Sequence, residues 1–164
     1  MEDEIDRATS RLLTQRPALD VATLALSGRL IRLARHLEIG RRDALAAREL
    51  DVWEYDVLIA LRAADSTAGL SPSALMAATQ VASGTMTNRI DRLARRGFVS
   101  REPDPSDHRG VLVRLSASGR RRVDHAASDV AAAEAEIWGV IAERRRAQVS
   151  TALRELVAYV EEAG

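Results

Sequence analysis

Apolar residues recur every three or four positions over most of this chain, which is the spacing of a helix that buries one face. The first such stripe predicts a long helix that Asp20 can cap and that ends in the mid-forties. Its apolar positions are Leu26, Leu30, Leu33 and Leu37, widened by Leu24, Ile31 and Ala34. Because the stripe is so wide, this helix should have packing partners on two sides.

Two further apolar repeats predict helices at the C-terminal end of the chain. The first contains Val123, Ala127, Val130, Ala133, Ile137 and Ile141, and the second contains Val149, Leu153, Leu156 and Val160. One small lobe cannot cover the apolar faces of three long helices. They therefore favour an intertwined dimer interface, with packing within a single chain as the alternative.

A shorter helix is predicted just before the middle of the chain. Asp51 can cap it, and Glu54 three residues later completes a capping box. Its apolar positions are Trp53, Val57, Leu58 and Leu61. The segment before Pro17 allows two interpretations, a short extra helix packed on the dimer or a loose segment.

Residues 71–114 follow a different pattern, which begins with two short helices. Ser71 followed by Pro72 is typical of a helix start, because a serine caps and a proline in the first turn loses no hydrogen bond. A second helix is predicted from about position 84 to position 96, with Ser83 as its N-cap and Gly97 as its left-handed stop. Two short helices joined by a tight turn are typical of a helix-turn-helix.

A two-stranded ribbon should follow these helices. Residues 98–101 and 111–115 are β-branched or apolar runs, and they flank the tip sequence PDPSDHRG. Within the tip, Asp107 and Arg109 share one face of an extended chain, so the carboxylate could orient the guanidinium for insertion into a DNA minor groove. The alternative is an isolated surface ion pair, which would contribute little to stability. Helix, turn, helix and ribbon in this order indicate a winged helix-turn-helix.

The second of the two short helices has one apolar and one polar face. Met86, Ile90 and Leu93 project together, and the opposite face carries Thr85, Asn88, Arg92 and Arg95. Threonine, asparagine and arginine can bond base edges in a major groove, and arginine also holds phosphates. An ordinary solvated helix face is the alternative for such a stripe.

The charge distribution favours the DNA-binding interpretation. The whole chain has 24 basic and 24 acidic residues, so its net charge is near zero. Between positions 83 and 122, however, there are ten arginines against four acidic residues, a surplus of six positive charges. Phosphate binding requires such a local basic surface rather than a basic chain.

Other classes of protein are disfavoured by composition. The absence of cysteine excludes disulfides and thiolate sensing, and the acidic start lacks the apolar core of a signal peptide, so a cytoplasmic protein without a membrane span is expected. The histidines His36, His108 and His125 are far apart and lack zinc-ligand spacing. No nucleophile elbow, phosphate loop or dinucleotide fingerprint occurs. We therefore expect no enzyme, no catalytic or metal site and no cofactor.

Residues 70–120 resemble the MarR family of bacterial transcription regulators. The resemblance is carried by SGTMTNRIDRL, the following RRGFV, the DPSDHR tip and LSASG, with His108 where the family usually has arginine. It implies a mainly α (α+β) fold, in which winged helix-turn-helix lobes are joined into an intertwined homodimer by long N- and C-terminal helices. We accordingly expect a single MarR-type domain over 1–164, with an N-terminal dimerisation helix at 18–48, the DNA-binding region at 50–116 and C-terminal dimerisation helices at 117–163.

The resemblance implies a regulator that binds a double-stranded operator as a homodimer. The expected DNA-binding residues are Ser83, Thr85, Thr87, Asn88, Arg92, Arg95, Asp107 and Arg109. An alternative is a winged helix that serves only as a protein-contact module, since fold does not fix function.

An effector site is suggested by a closer resemblance to the urate-responsive MarR subgroup. Asp56, Arg89 and Arg101, within YDVLIALR, TNRIDRL and VSR, match its acidic and basic positions. In that subgroup an anionic ligand near arginine disturbs a charge pairing and moves the recognition helix. The subgroup also uses a tryptophan in the N-terminal helix, whereas this chain has none before Trp53. The expected effector is therefore a small organic anion or aromatic acid, and a purely structural Asp56–Arg89 ion pair is the alternative.

Overall fold

The computed structural model of the chain describes residues 2–64, 69–105 and 110–163. It is mainly helical with one small antiparallel sheet, as the sequence predicts. The elements in order are α1 (Glu4–Gln15), α2 (Val21–Ala46), α3 (Val52–Ala63), α4 (Pro72–Thr79), α5 (Ser83–Arg95), β1 (Val99–Pro103), β2 (Val111–Leu115), α6 (Ala117–Trp138) and α7 (Glu143–Ala163).

The hydrophobic core lies in a lobe formed by α3, α4, α5, the ribbon and the first half of α6, and Leu45 at the end of α2 is buried in it. Its fully buried side chains include Leu58, Leu75, Met86, Ile90, Leu93, Val113 and Val123. Val123 and Val130, which we expected on a dimer seam, belong to this core. The first half of α6 therefore has its apolar face packed within the chain, which is the alternative given for that part of the repeat.

The helix-turn-helix forms with one difference from the prediction. Ser71 caps α4 by accepting a hydrogen bond from Ala74 N–H at 3.2 Å, and α4 ends at Gln80 in a left-handed conformation. Helix α5 begins one residue earlier than expected, with Ala82 as its N-cap and Ser83 already inside the helix. Ser83 is thus not the cap, because the backbone leaves the turn at Ala82. Gly97 has a φ of +71° and ends α5 as expected.

The ribbon is an antiparallel pair in which Val99 lies opposite Leu115 and Arg101 opposite Val113. Arg101 is therefore at the centre of β1, which extends two residues beyond the predicted run of 98–101. Leu70 pairs with Val113 as a short extra bridge, which ties the start of the helix-turn-helix to the ribbon. The predicted DNA-binding residues Asp107 and Arg109 lie outside the described residues.

The N-terminal segment forms helix α1, which packs on α2. Asp3 caps it in a reciprocal capping box with Asp6. Both carboxylates also accept hydrogen bonds from Arg29 of α2, and Glu4 pairs with Arg32 at 2.8 Å. Of the two interpretations of this segment, the packed helix is the one observed. These ion pairs are exposed, and the helix also places the partly buried Ile5 against Gly28 of α2.

Two helices leave large apolar side chains exposed in the single chain. On α2 the exposed fractions are 66% for Leu26 and 54% for Ile31, and on α7 they are 72% for Tyr159 and 67% for Val160. Ile141 lies between α6 and α7 and does not continue the α6 repeat. Apolar surface on this scale favours a partner for α2 and α7.

The long helices are too polar to cross a membrane. Among the residues that the structure describes, no helix combines the length and the apolar character that a span needs.

Candidate nucleic-acid interface and effector cleft

Helix α5 presents its predicted polar face to solvent. Thr85, Thr87, Asn88 and Arg95 are all exposed, while Met86, Ile90 and Leu93 on the other side are buried. Ser83 is exposed in the first turn, where its carbonyl accepts a 3.3 Å hydrogen bond from Thr87. The lobe core therefore fixes α5 by its apolar face and leaves threonine, asparagine and arginine free to approach a groove.

The two predicted DNA-binding arginines of α5 differ in their surroundings. Within the described residues, Arg95 makes only a long 3.4 Å hydrogen bond to the carbonyl of Asp91, so its guanidinium remains available. The Arg92 guanidinium is 4.7 Å from the centre of the Trp53 ring and 3.7 Å from an Asp51 carboxylate oxygen. Arg92 is thus held by the N-terminal turn of α3, a contact that the sequence did not reveal.

Asp56 lies at the predicted effector position but has a different partner from the one expected. Its nearest ion-pair partner is Arg41 of α2, at 3.7 Å, and no Asp56–Arg89 ion pair occurs within the described residues. Burial raises the pKa of Asp56, while the charges of Arg41 and Arg89 act in the opposite direction. Asp56 and Arg89 therefore do not form the direct ion pair that was the structural alternative, although the charge of Arg89 acts to lower the pKa of Asp56.

A pocket of about 430 Å³ opens beside Asp56, between α3 and the end of α4. Its walls are mostly apolar or small, and its lining residues are Asp56, Ile59, Ala60, Ala63, Ala78, Thr79 and Gln80. Neither Arg89 nor Arg101 lines it. Instead Arg89 stands over Trp53, with 5.5 Å between its guanidinium and the ring centre, and Arg101 pairs with Asp91 at 2.7 Å. The three predicted effector residues therefore do not form one cluster. Asp56 is near Arg41, Arg89 is near Trp53, and Arg101 is paired with Asp91.

A buried charge in the first turn of α3 was not predicted from the sequence. Glu54 is only 1% exposed, and its carboxylate accepts hydrogen bonds from Arg96 and from the N–H of Asp51. Arg96 also donates to the carbonyl of Glu49 at 2.7 Å and lies 4.7 Å from the Phe98 ring centre. The capping-box position of Glu54 was visible in the sequence, but its distant partner was not.

Further arginines connect the lobe to the long helices. Arg62 of α3 pairs with Asp124 of α6 at 2.7 Å, and Arg48 after α2 pairs with Asp129 at 2.5 Å. Arg122 donates to the carbonyl of Arg48 at 2.5 Å. These contacts join α3 and the residues after α2 to α6.

Comparisons with known proteins agree with this architecture. Residues 49–110 match the family model described as MarR family. The transcriptional regulator PecS of Dickeya dadantii (strain 3937) is 27% identical over 158 residues, which are 96% of this chain and 93% of PecS. Residues 49–110, which hold the predicted helix-turn-helix and the first ribbon strand, are therefore the MarR-family part of the chain. The matched residues contain α3, α4, α5 and β1. They therefore include the exposed polar face of α5 and the elements next to it.

Two solved structures with a similar fold contain a bound ligand or DNA. CouR from Rhodococcus jostii RHA1, bound to p-coumaroyl-CoA, aligns with a TM-score of 0.71 and 26% identity over 80% of this chain and 90% of CouR. A mutant of MarR from E. coli, complexed with operator DNA, aligns with a TM-score of 0.71 and 25% identity over 85% of this chain and 99% of the mutant. Members with this fold therefore include one solved on operator DNA and one solved with p-coumaroyl-CoA.

Proposed function

We propose that this protein is a sequence-specific DNA-binding transcriptional regulator of the MarR family, in the role of a repressor. The observation that carries the proposal is helix α5, whose apolar face is fixed in the lobe core while Thr85, Asn88 and Arg95 are exposed together on the other face. The likeness to a MarR–operator complex supports the same docking surface. Such a protein acts in the cytoplasm, on double-stranded DNA.

The proposed binding unit is a homodimer on a pseudopalindromic operator. The exposed apolar side chains of α2 and α7 support pairing of the segments 18–48 and 117–163 between two chains. Two α5 helices would then enter successive major grooves, with half-sites about one helical turn apart. The ribbon tip of the 50–116 region would bring Arg109 to the adjacent minor groove, with Asp107 orienting it.

The proposed DNA contacts divide into base reading and phosphate or groove binding. Thr85, Asn88 and Arg92 would set sequence preference, while Arg95 and Arg109 supply affinity. Ser83 and Thr87, near the start of α5, would contact the DNA backbone. Asn88→Ala should relax base preference at one position of each half-site by about 1–3 kcal/mol. Arg109→Ala should weaken all duplexes by a similar factor and make the salt dependence less steep. Competition binding with single-base operator variants measures both effects.

The two variants serve as controls for each other. If Asn88→Ala weakened every duplex equally, or if Arg109→Ala changed base preference at one half-site position, this assignment of roles would be wrong. The operator itself should first be isolated by selection from random duplexes, with DNA upstream of the gene for this protein as a second source.

The proposed effector is a small organic anion or aromatic acid. It would enter the cleft beside Asp56, where the pocket has apolar walls and where burial disfavours the charge of Asp56. Arg89 would respond to the added negative charge. Arg101 would take part through its ion pair with Asp91 of the same helix as Arg89. A ligand can release the operator only if it binds the released state more tightly than the bound state.

Arg89→Ala should retain operator binding and lose most of the response to acidic ligands. The reason is that Arg89 lies off the exposed face of α5 yet contributes to the field at Asp56. A library of aromatic carboxylates, screened for release of labelled operator from the wild type, supplies the ligand for this comparison. Arg89 is excluded from the switch if the variant and the wild type release the operator at the same ligand concentration.

The other function to test is a winged helix that only contacts proteins. Fluorescence anisotropy with selected and scrambled duplexes over a salt series separates the two. Tight binding that is specific and falls steeply with salt supports the regulator. Equal, weak binding to both duplexes would contradict it and favour the protein-contact module.

A further inference from the structure

Trp53 lies between the two proposed sites, which are the base-reading face of α5 and the effector cleft. It sits in the first turn of α3 and is half-buried. Two arginines of α5, one turn apart, stand over its ring, Arg92 at 4.7 Å and Arg89 at 5.5 Å from the ring centre. One of these is a proposed base reader, and the other is a proposed responder to the effector.

We propose that Trp53 is a positioning residue, which holds Arg92 in the conformation that reads DNA and connects that conformation to Arg89. The proposal rests on the proposed function, since it assigns a role to Trp53 within the same DNA-binding and effector machinery. It adds a residue that the resemblance to the family did not identify as a DNA or ligand contact.

The Trp53 ring is itself fixed by hydrogen bonds. Its Nε1–H donates to Asp51 Oδ2 at 3.0 Å, and the Asp51 N–H donates to Glu54 at 3.0 Å. The same Asp51 carboxylate lies 3.7 Å from the Arg92 guanidinium. Ring and carboxylate therefore form two sides of one cradle for Arg92, anchored through Glu54 in the lobe core.

Such a cradle matters because an arginine on an exposed helix face otherwise samples many side-chain conformations. Arg92 remains 55% exposed, so it can reach a base edge or a phosphate without leaving the ring completely. A side chain that is already ordered loses less conformational entropy when it binds. A planar guanidinium stacked on an aromatic face also keeps its N–H groups free at the edges for bidentate hydrogen bonds.

Arg89 gives the cradle a connection to the cleft. Its guanidinium is 5.5 Å from the centre of the Trp53 ring, and Asp56, which lines the pocket, is one turn further along α3. The charge of Arg89 also acts on the Asp56 carboxylate. An anion in the cleft would attract Arg89, so the interaction of Arg89 with the ring would change. The ring would then hold Arg92 in a different position. The effector would thus act on the base-reading Arg92 through Arg89 and Trp53.

A double-mutant cycle on the selected operator tests this assignment. Trp53→Leu should weaken operator binding about threefold to fivefold and reduce discrimination at the base that Arg92 reads. In an Arg92→Ala background, Trp53→Leu should have almost no further effect. In an Arg95→Ala background, which is the matched control on the same helix, the full effect of Trp53→Leu should remain.

A second substitution separates positioning from general folding. Trp53→Phe keeps an aromatic face for Arg92 but loses the hydrogen bond to Asp51, so it should restore part of the affinity and discrimination lost in Trp53→Leu. If Trp53→Leu weakened binding equally with and without Arg92, Trp53 would have only a structural role and the proposal would be overturned.

Tryptophan quenching tests the same contacts without DNA. Trp138→Phe leaves Trp53 as the sole tryptophan of the chain. In that background, Arg92→Ala and Arg89→Ala should each increase the quenching of Trp53 by acrylamide, whereas Arg95→Ala should leave it unchanged. Quenching that none of the three variants alters would overturn the proposal. If the wild type binds no selected duplex, the proposed function fails, and the quenching result still decides whether Trp53 holds the two arginines.

Discussion

Arg96→Ala is expected to lower the free energy of unfolding by about 3 kcal/mol, a large effect for a single arginine at the surface end of a helix. Arg96 supplies the countercharge for Glu54, whose side chain is 1% exposed. Within the described residues, Oε1 of Glu54 has no hydrogen-bond partner, so little else compensates its charge. Urea-induced unfolding at a fixed protein concentration measures the change.

The neighbouring Arg95 provides a matched control for this experiment. It is exposed, and in the part of the chain that the structure describes its side chain makes only the 3.4 Å contact to a carbonyl of its own helix. Arg95→Ala should therefore change stability by less than about 0.5 kcal/mol while weakening DNA binding. Equal losses of stability in the two variants would show that the Glu54 pair is not the cause.

A further variant distinguishes the loss of a salt bridge from the burial of an unpaired charge. The double substitution Glu54→Leu with Arg96→Met removes both charges and retains apolar volume. It should recover much of the stability lost in Arg96→Ala, because the main cost in the single variant is a buried carboxylate without its partner.

Gly119→Ala is expected to destabilise the protein by about 3 kcal/mol. A Cβ atom at Gly119 would lie 2.0 Å from the Phe98 carbonyl oxygen and 2.9 Å from the Phe98 carbonyl carbon. The first turn of α6 cannot move away easily, because Ser116 and Ser118 both donate to the Gly97 carbonyl at 2.7 Å. Thermal unfolding by circular dichroism measures the effect.

Gly84→Ala is the control for that substitution. Gly84 is also in the first turn of a helix, but within the described residues no atom lies within 4 Å of a Cβ built there. Alanine should therefore stabilise α5 by up to about 1 kcal/mol, since glycine is a poor helix former. Destabilisation by both substitutions would mean that the close approach to Phe98 is not the reason for glycine at position 119.

Much of the fold could be predicted because its signals are local. Asp20 and Ser71 accept hydrogen bonds from N–H groups three residues later, and at Asp51 the Glu54 carboxylate accepts the Asp51 N–H. All three helices begin where these side chains predict. The amphipathic pattern of α5 also identified its buried and exposed faces correctly. Ser83 was the failure, because the choice between Ala82 and Ser83 as N-cap depends on the backbone path out of the preceding turn.

The candidate site was less accessible to prediction because its contacts join distant parts of the chain. The exposure of Thr85, Asn88 and Arg95 follows from helical period alone, and it was predicted. The ion-pair partner of Asp56 is Arg41, fifteen residues earlier on another helix, and that of Arg101 is Asp91 across the junction of α5 and β1. A list of charged residues offers many such pairings, and none could be selected by spacing.

The sequence by itself determined the order of helices and ribbon, the polar face of α5 and the local basic surplus, since hydrophobic period, capping and charge are properties of neighbouring residues. Only the tertiary structure decided that Glu54 is buried against Arg96, that Trp53 lies beneath Arg92 and Arg89, and that α6 contributes to the lobe core. These contacts depend on how the helices pack against one another. In this protein, packing decides which of many similar arginines holds the fold and which remains free to bind.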